Sequence, residues 1–300
     1  MPVIGFVNTA AEHSSQRLVS AFRAGLAAGG RVEGKNVAVE YRWARDDTKR
    51  VDEFIDDFRR RNVDLLVASG GSPVALAAKA RVSTIPVVFQ VGVDPVAIGL
   101  VDSLARPGGN MTGATMLAVE LSSKRLELIK ELAPTARKIV LLINRNSSGS
   151  PILERDMQNA AAIMGVELEL VNASSEPEID DAFARIGQVK PDGLIIGADP
   201  LFNGLAAKVA HLALQFRIPS IYQFLEFAEA GGLVSYGGSI TDAYRQVGFY
   251  SARILNGDKP SDLPVQQSTK LELIINLRTA KSLGISIPAS LIARADEVIE

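Results

Sequence analysis

The sequence predicts an α/β protein made of two Rossmann-like, doubly wound lobes. Two observations carry the prediction. Short β-rich apolar runs alternate with helical segments along most of the 300 residues, as parallel sheets with covering helices require. The same order of residues then recurs in the second half of the chain, the mark of an internal repeat.

Strands of the first half are expected at 3–8 ("VIGFVN"), 37–43 ("VAVEYRW"), 64–69 ("DLLVAS") and 86–91 ("PVVFQV"), with helices over 15–28, 48–61 and 73–80. Those of the second half are expected at 138–144 ("KIVLLIN"), 166–172 ("VELELVN"), 192–198 ("DGLIIGA") and 219–224 ("PSIYQF"), with helices over 151–164, 178–188 and 203–216. The stretch from Asp64 to Gln90 parallels that from Asp192 to Gln223. Each runs from aspartate through a strand, a small-residue turn with proline and a helix carrying Leu-Ala-Ala-Lys to Ile-Pro and another strand. The first strand of each half ends in asparagine, at Asn8 and Asn144.

Four pairs follow strands: Ser72-Pro73, Asp94-Pro95, Ser150-Pro151 and Asp199-Pro200. Serine or aspartate accepts orphan helix N–H bonds, and proline suits the first helical position because it has no donor to lose. All four are therefore expected to cap helices at the carboxyl ends of strands, the edge where open α/β sheets bind ligands.

Composition narrows the function. A hydrophobic content of 47% with 22% charge belongs to a soluble globular protein. A net charge of −2 leaves no electrostatic footprint for nucleic acid. The absence of cysteine removes disulfides and thiolate chemistry, and two histidines, His13 and His211, give a metal site or triad almost no material. Gly-x-Ser-x-Gly is absent. Asp46-Asp47, Asp56-Asp57 and Asp180-Asp181 lie among basic residues and read as solvated surface, while Arg59-Arg60-Arg61 closes a helix where cations suit its dipole. The protein is expected to be no enzyme and to need no cofactor or metal.

The turn "SGGSP" (69–73) lacks the P-loop pattern and follows the third strand rather than the first. It leaves an open helix N-terminus, which favours an anion such as a ligand carboxylate.

The segment "GVDPVAIGLVDSLARPGGNMTGAT" (92–115), with "EFAEAGGLVSYGGS" (226–239) and "INLRTAKSLGISIPASLIARADEVIE" (275–300), resembles a family of ABC transporter substrate-binding proteins that includes binders of tryptophan and other aromatic amino acids. The resemblance implies the type I periplasmic binding protein fold. One lobe is then 1–117 plus about 240–270, the other 118–239 plus about 271–300, joined by a three-strand hinge. "ARPGGN" is expected to be a helix exit and turn before the first crossing. A small carboxylate-bearing ligand, an amino acid or aromatic acid, would be enclosed between the lobes of a monomer and delivered to an ABC permease in the membrane. The family normally carries an export leader, so a periplasmic or otherwise extracytoplasmic protein with its leader removed is expected. The alternative is a ligand-sensing effector domain of a regulator or receptor, which shares the fold.

Candidate ligand contacts are the polar residues at predicted strand ends. The first lobe offers Asn8, Thr9, Ser69, Gly70 and the stretch from Gln90 to Asp94. The second offers the loop Asn144 to Ser148, including Asn146, with Asp199, Tyr222 and Tyr236. The polar residues suit strand termination equally well. The tyrosines are favoured because a hydroxyl prefers a wet or hydrogen-bonded edge, whereas Phe224 reads as core. Ser69 and Gly70 are expected to hold the ligand's carboxylate and Asp199 its ammonium group.

Overall fold

The computed structural model describes residues 1–45, 47–147, 149–268 and 271–300. The chain divides into two compact units, Met1–Leu117 with Ile240–Ser268 and Ala118–Ser239 with Thr269–Glu300, so the backbone passes between units three times.

The first unit opens with β1 (Val3–Asn8), α1 (Gln16–Ala28), β2 (Ala38–Trp43), α2 (Thr48–Arg60), β3 (Leu65–Ala68), α3 (Ser72–Arg81), β4 (Val87–Val91) and β5 (Met111–Thr115). β3 and β4 are buried along their whole length, and both read as continuous apolar runs, as inner strands covered on two faces must. β2, at the sheet's edge, is half-buried. On α2, Val51, Ile55 and Phe58 recur at helical spacing and face the core. The Asp47 carboxylate caps this helix, accepting from the Lys49 amide at 2.9 Å.

The structure differs from the expected elements at three places in this unit. β5, "MTGAT", lacks the branched apolar run that marks the other strands. Its reasons are tertiary. A Cβ on Gly113 would collide with the Phe89 carbonyl oxygen, and Thr112 Oγ1 donates to Leu263 O at 2.7 Å. No helix follows Asp94-Pro95: Asp94 Oδ1 accepts from the Val96 amide at 2.8 Å, and Gly99, at φ +71°, ends the chain's single turn. "ARPGGN" likewise leaves no helix. It forms a turn ahead of β5 in which the Asp102 amide donates to Pro107 O at 2.9 Å.

The second unit continues with α4 (Ser122–Leu132), β6 (Lys138–Ile143), α5 (Ser150–Met164), β7 (Glu167–Asn172), α6 (Glu176–Val189), β8 (Gly193–Ile196), α7 (Pro200–Gly204), α8 (Ala206–Gln215), β9 (Ser220–Tyr222), α9 (Leu225–Glu229) and β10 (Val234–Gly238). The helix expected over 203–216 starts earlier, because Asp199 caps it, and breaks at Leu205 after Gly204. Of the four expected caps only Asp199 bonds a helix amide. α3 and α5 begin at the serines themselves, after Gly71 and Gly149, without a side-chain cap. Gly70 and Gly71, at φ +88° and +91°, turn the chain sharply enough for α3 to start one residue early.

The chain returns to the first unit for α10 (Ile240–Leu255) and β11 (Gln266–Gln267), and ends in the second with β12 (Leu271–Asn276), α11 (Leu277–Leu283), α12 (Ala289–Ile292) and β13 (Glu297–Ile299). The sheets run β11-β5-β4-β3-β1-β2 and β13-β12-β10-β9-β8-β6-β7. Among the described residues every strand pairing is parallel except β10 with β12. Both contain the strand order 2-1-3-4-5 of doubly wound proteins.

The repeat extends to single bonds. Asp64 accepts from the Val3 amide at 2.7 Å, and Asp192 accepts from the Lys138 amide at 2.9 Å. In each case an aspartate before the third strand ties down the start of the first. Pro86 O receives the Leu66 amide at 2.9 Å as Pro219 O receives the Leu194 amide at 2.8 Å.

Candidate functional site

In the first unit, the carboxyl ends of β1 and β3 bring Asn8, Thr9, Ser69 and Gly70 together. Asn8 Nδ2 donates to Ser69 Oγ at 3.0 Å and to the Tyr244 hydroxyl at 2.9 Å. Its Oδ1 accepts from the Ala10 amide at 2.8 Å. Ser69 Oγ donates to Val7 O at 3.3 Å. Thr9 Oγ1 donates to Gly70 O at 2.9 Å. Asn8, Ser69 and Tyr244 are all buried, so each polar atom needs such a partner. Burial pushes the Tyr244 phenol above its ordinary pKa, opposed by bonds from Ser69, Asn8 and the Gly70 backbone. The Ser69 hydroxyl, expected to meet a carboxylate, is bonded to Asn8 and Val7 within the protein, and the bond to Gly70 uses its carbonyl.

Gln90 is buried on β4 opposite Ala114. Asp94 sits beyond β4 in its turn, half-buried.

The second unit repeats the arrangement with a change of acceptor. Asn144 Nδ2 donates to Asp199 Oδ1 at 3.1 Å, and Asn144 Oδ1 accepts from the Asn146 amide at 3.0 Å. Asp199 Oδ1 also accepts from the Leu201 amide at 2.9 Å. Asp199 is 6% exposed. Burial pushes its carboxyl above the usual range, and the bonds from Asn144, the Leu201 amide and Ser147 only partly oppose this. Among the described residues no cation pairs with it, so burial favours the neutral acid. Asn146 is exposed, and Ser148 lies outside the described residues.

Tyr222 departs from expectation. Its hydroxyl bonds the Ser220 hydroxyl at 2.7 Å and its ring stacks on Phe227 with centroids 4.8 Å apart. Fully buried, it serves as a core side chain whose polar end is satisfied by its own strand. Tyr236 is half-buried on β10, and its carbonyl accepts from Arg125 Nε at 2.9 Å.

Sequence reasoning missed Tyr244, Arg125, Asn203 and Gln223. Tyr244 carried no signal, since α10 reaches this edge only through the returning chain. Arg125 did carry one: with Ser122, Ile129 and Leu132 it falls on the buried stripe of α4, where a cation is out of place. Gln223 Nε2 donates to Asn203 Oδ1 at 2.5 Å beyond β9.

These groups combine internally bonded polar side chains with one buried carboxylate, Asp199, and one buried guanidinium, Arg125. Among the described residues no cluster of acidic, histidine or cysteine side chains could hold a metal ion, and no helix is long and apolar enough to cross a membrane.

Comparison with known proteins agrees with this chemistry. A family model described as ABC transporter substrate binding protein matches residues 3–299. A tyrosine-binding protein of Clostridioides difficile (strain R20291) is 28% identical over 255 residues, 84% of this chain and 72% of that protein. A conserved domain protein of Vibrio cholerae superposes with a TM-score of 0.89 at 27% identity, over 99% of both chains. An ABC domain of Streptococcus pneumoniae, solved in complex with L-Trp, superposes with a TM-score of 0.87 at 25% identity, again over 99% of both. More distant solute-binding structures share the type I periplasmic binding protein fold. The family is described by substrate binding, and two of these relatives are named with an amino acid, tyrosine or L-Trp. This chain belongs to the ABC transporter substrate-binding protein family.

Proposed function

We propose that the protein captures a free aromatic amino acid, L-tryptophan or L-tyrosine, outside the cytoplasm, closes its two units on it as a monomer and delivers it to an ABC permease. The observation that carries this reading is Asp199, a buried carboxylate with a raised pKa and no cation beside it among the described residues. It stands at the strand edge of a chain whose relatives include a tyrosine-binding protein and an L-Trp complex. An ammonium group arriving at Asp199 would supply the missing charge. Asn8, Thr9, Gln90 and Asp94 of the first unit, with Asn146 and Tyr236 of the second, complete the proposed wall. Three backbone passages between units suit a hinge that bends along few directions, and binding would favour the closed state through contacts made only there.

Calorimetry and thermal melting with the common amino acids test this. L-Tryptophan or L-tyrosine should bind at about micromolar affinity, near −8 kcal/mol, and raise the Tm as a ligand of the folded state must. ATP and NAD should do neither. Small-angle scattering should show the radius of gyration fall at saturation. Stabilisation by sugars or nucleotides but by no amino acid would overturn the ligand class, and an unchanged radius with binding confirmed would overturn the closure.

A further inference from the structure

Arg125 is a buried cation held entirely by neutral groups. Its Nε donates to Tyr236 O at 2.9 Å, and its Nη1 donates to Ala118 O at 2.9 Å and Ser122 Oγ at 3.1 Å. Nη2 is buried and has no partner. Burial lowers the guanidinium pKa to about 9, opposed only by the Tyr236 phenol, so no carboxylate offsets its charge. A strut between two backbone segments accounts for Nε and Nη1. It leaves two dry N–H groups and a full charge unexplained, although burying an uncompensated ion costs several kcal/mol and unpaired buried donors are rare.

The surroundings show what is missing. An ideal Cβ on Gly237, at the end of β10, would lie 3.6 Å from Arg125 Nη2 and would collide with the Gln223 carbonyl. Gln223 follows β9, and its Oε1 is also buried without a partner. Its Nε2 donates to Asn203 Oδ1, a residue of the short helix that Asp199 caps. Arg125, Gln223, Asn203 and Asp199 therefore form one polar arc along the carboxyl ends of β10, β9 and β8, three adjacent strands. The arc has an unpaired donor and positive charge at one end, an unpaired acceptor in the middle and a carboxylate at the other end. Neighbouring strands lie ~4.8 Å apart, so the arc spans roughly 10 Å.

We infer that Arg125 Nη2 is the anchor for the ligand's carboxylate, with the ammonium group lying toward Gln223 Oε1 and Asp199. Both charges of the zwitterion are then recognised within the second unit. This rests on the reading that the ligand is an amino acid, but it specifies a carboxylate whatever the side chain.

Calorimetry separates an anchor from a strut. Wild type, Arg125→Gln and Arg125→Lys are titrated with L-tryptophan and tryptamine, with L-tyrosine and tyramine, and with L-leucine and 4-hydroxybenzoate. In the wild type each amino acid should bind at least about 30-fold more tightly than its amine, the scale of a desolvated charge pair. In Arg125→Gln that ratio should collapse toward one because only the carboxylate-bearing ligand weakens. Equal weakening of amino acid and amine would make Arg125 a strut only and overturn the inference. If 4-hydroxybenzoate alone binds, and does so through Arg125, the anchor stands and the amino-acid reading falls. If no carboxylate binds the wild type, the anchor falls. Arginine side-chain nitrogen NMR on the wild type needs no variant. The Arg125 Nη protons should exchange more slowly with the best-binding carboxylate and not with its amine or amide analogue; unchanged exchange would overturn the assignment.

Discussion

Asn144 donates its side-chain amide to Asp199 at 3.1 Å, and Asn8 makes the same bond to Ser69 at 3.0 Å. Each asparagine ends the first strand of its sheet, and each turns back on the amide two residues ahead. The repeat preserves the donor and changes the acceptor. A hydroxyl in the first unit is satisfied within the protein, whereas the carboxylate in the second, though hydrogen-bonded, carries a charge that burial penalises. The difference between the two units is therefore chemical before it is geometric.

Asp199→Asn should stabilise the ligand-free protein at neutral pH while weakening amino-acid binding by about 2–5 kcal/mol. Burial raises the Asp199 pKa in the folded state. Its contribution to stability is then present below the unfolded value of about 4 and is lost as pH rises through the raised value. Asparagine caps helices as well as aspartate, so the gain in Tm should be largest near pH 7 and shrink toward pH 4. A variant that melts no higher than the wild type at pH 7 would contradict the assignment.

Tyr244→Phe should cost about 1–2 kcal/mol of stability, since it removes the hydroxyl that Asn8 bonds at 2.9 Å within a buried network. Asn8 keeps Ser69 as a partner, so the fold should survive with a lower melting temperature. An unchanged urea midpoint would show that the network is energetically redundant.

α1 and α10 approach too closely for side chains at their contact. A Cβ on Gly25 would collide with the Arg245 carbonyl oxygen, and one on Gly248 with the Phe22 carbonyl oxygen. Gly25→Ala or Gly248→Ala should therefore destabilise by at least about 3 kcal/mol, despite alanine's better helix propensity. Thermal melts that match the wild type would sink this account of the packing.

Gly70→Ala should be damaging for two separate reasons. The residue sits at φ +88°, and an added Cβ would lie 2.5 Å from the Thr9 amide nitrogen. The variant should melt lower and bind its ligand more weakly, because the ends of β1 and β3 must separate. Equal affinity by calorimetry would show that this edge tolerates movement.

What the sequence alone determined is whatever consecutive residues encode. The alternation of strands and helices, the doubled plan and its tying aspartates, Asp64 and Asp192, lie in runs a few residues long. So does the one effective cap among the four expected, Asp199. The family signature at 92–115 is legible in the same way, even though its "ARPGGN" proved to be a plain turn before β5. Tertiary structure decided the rest. It made a strand of "MTGAT" through the Phe89 backbone and Leu263, and put Tyr222 in the core by pairing it with Ser220 and Phe227. It also brought Tyr244 to Asn8 across 236 positions and left Arg125 buried without a counter-charge. The reason is physical. Periodicity and capping are local properties, whereas the partner of a buried polar atom depends on which distant segment the returning chain places beside it.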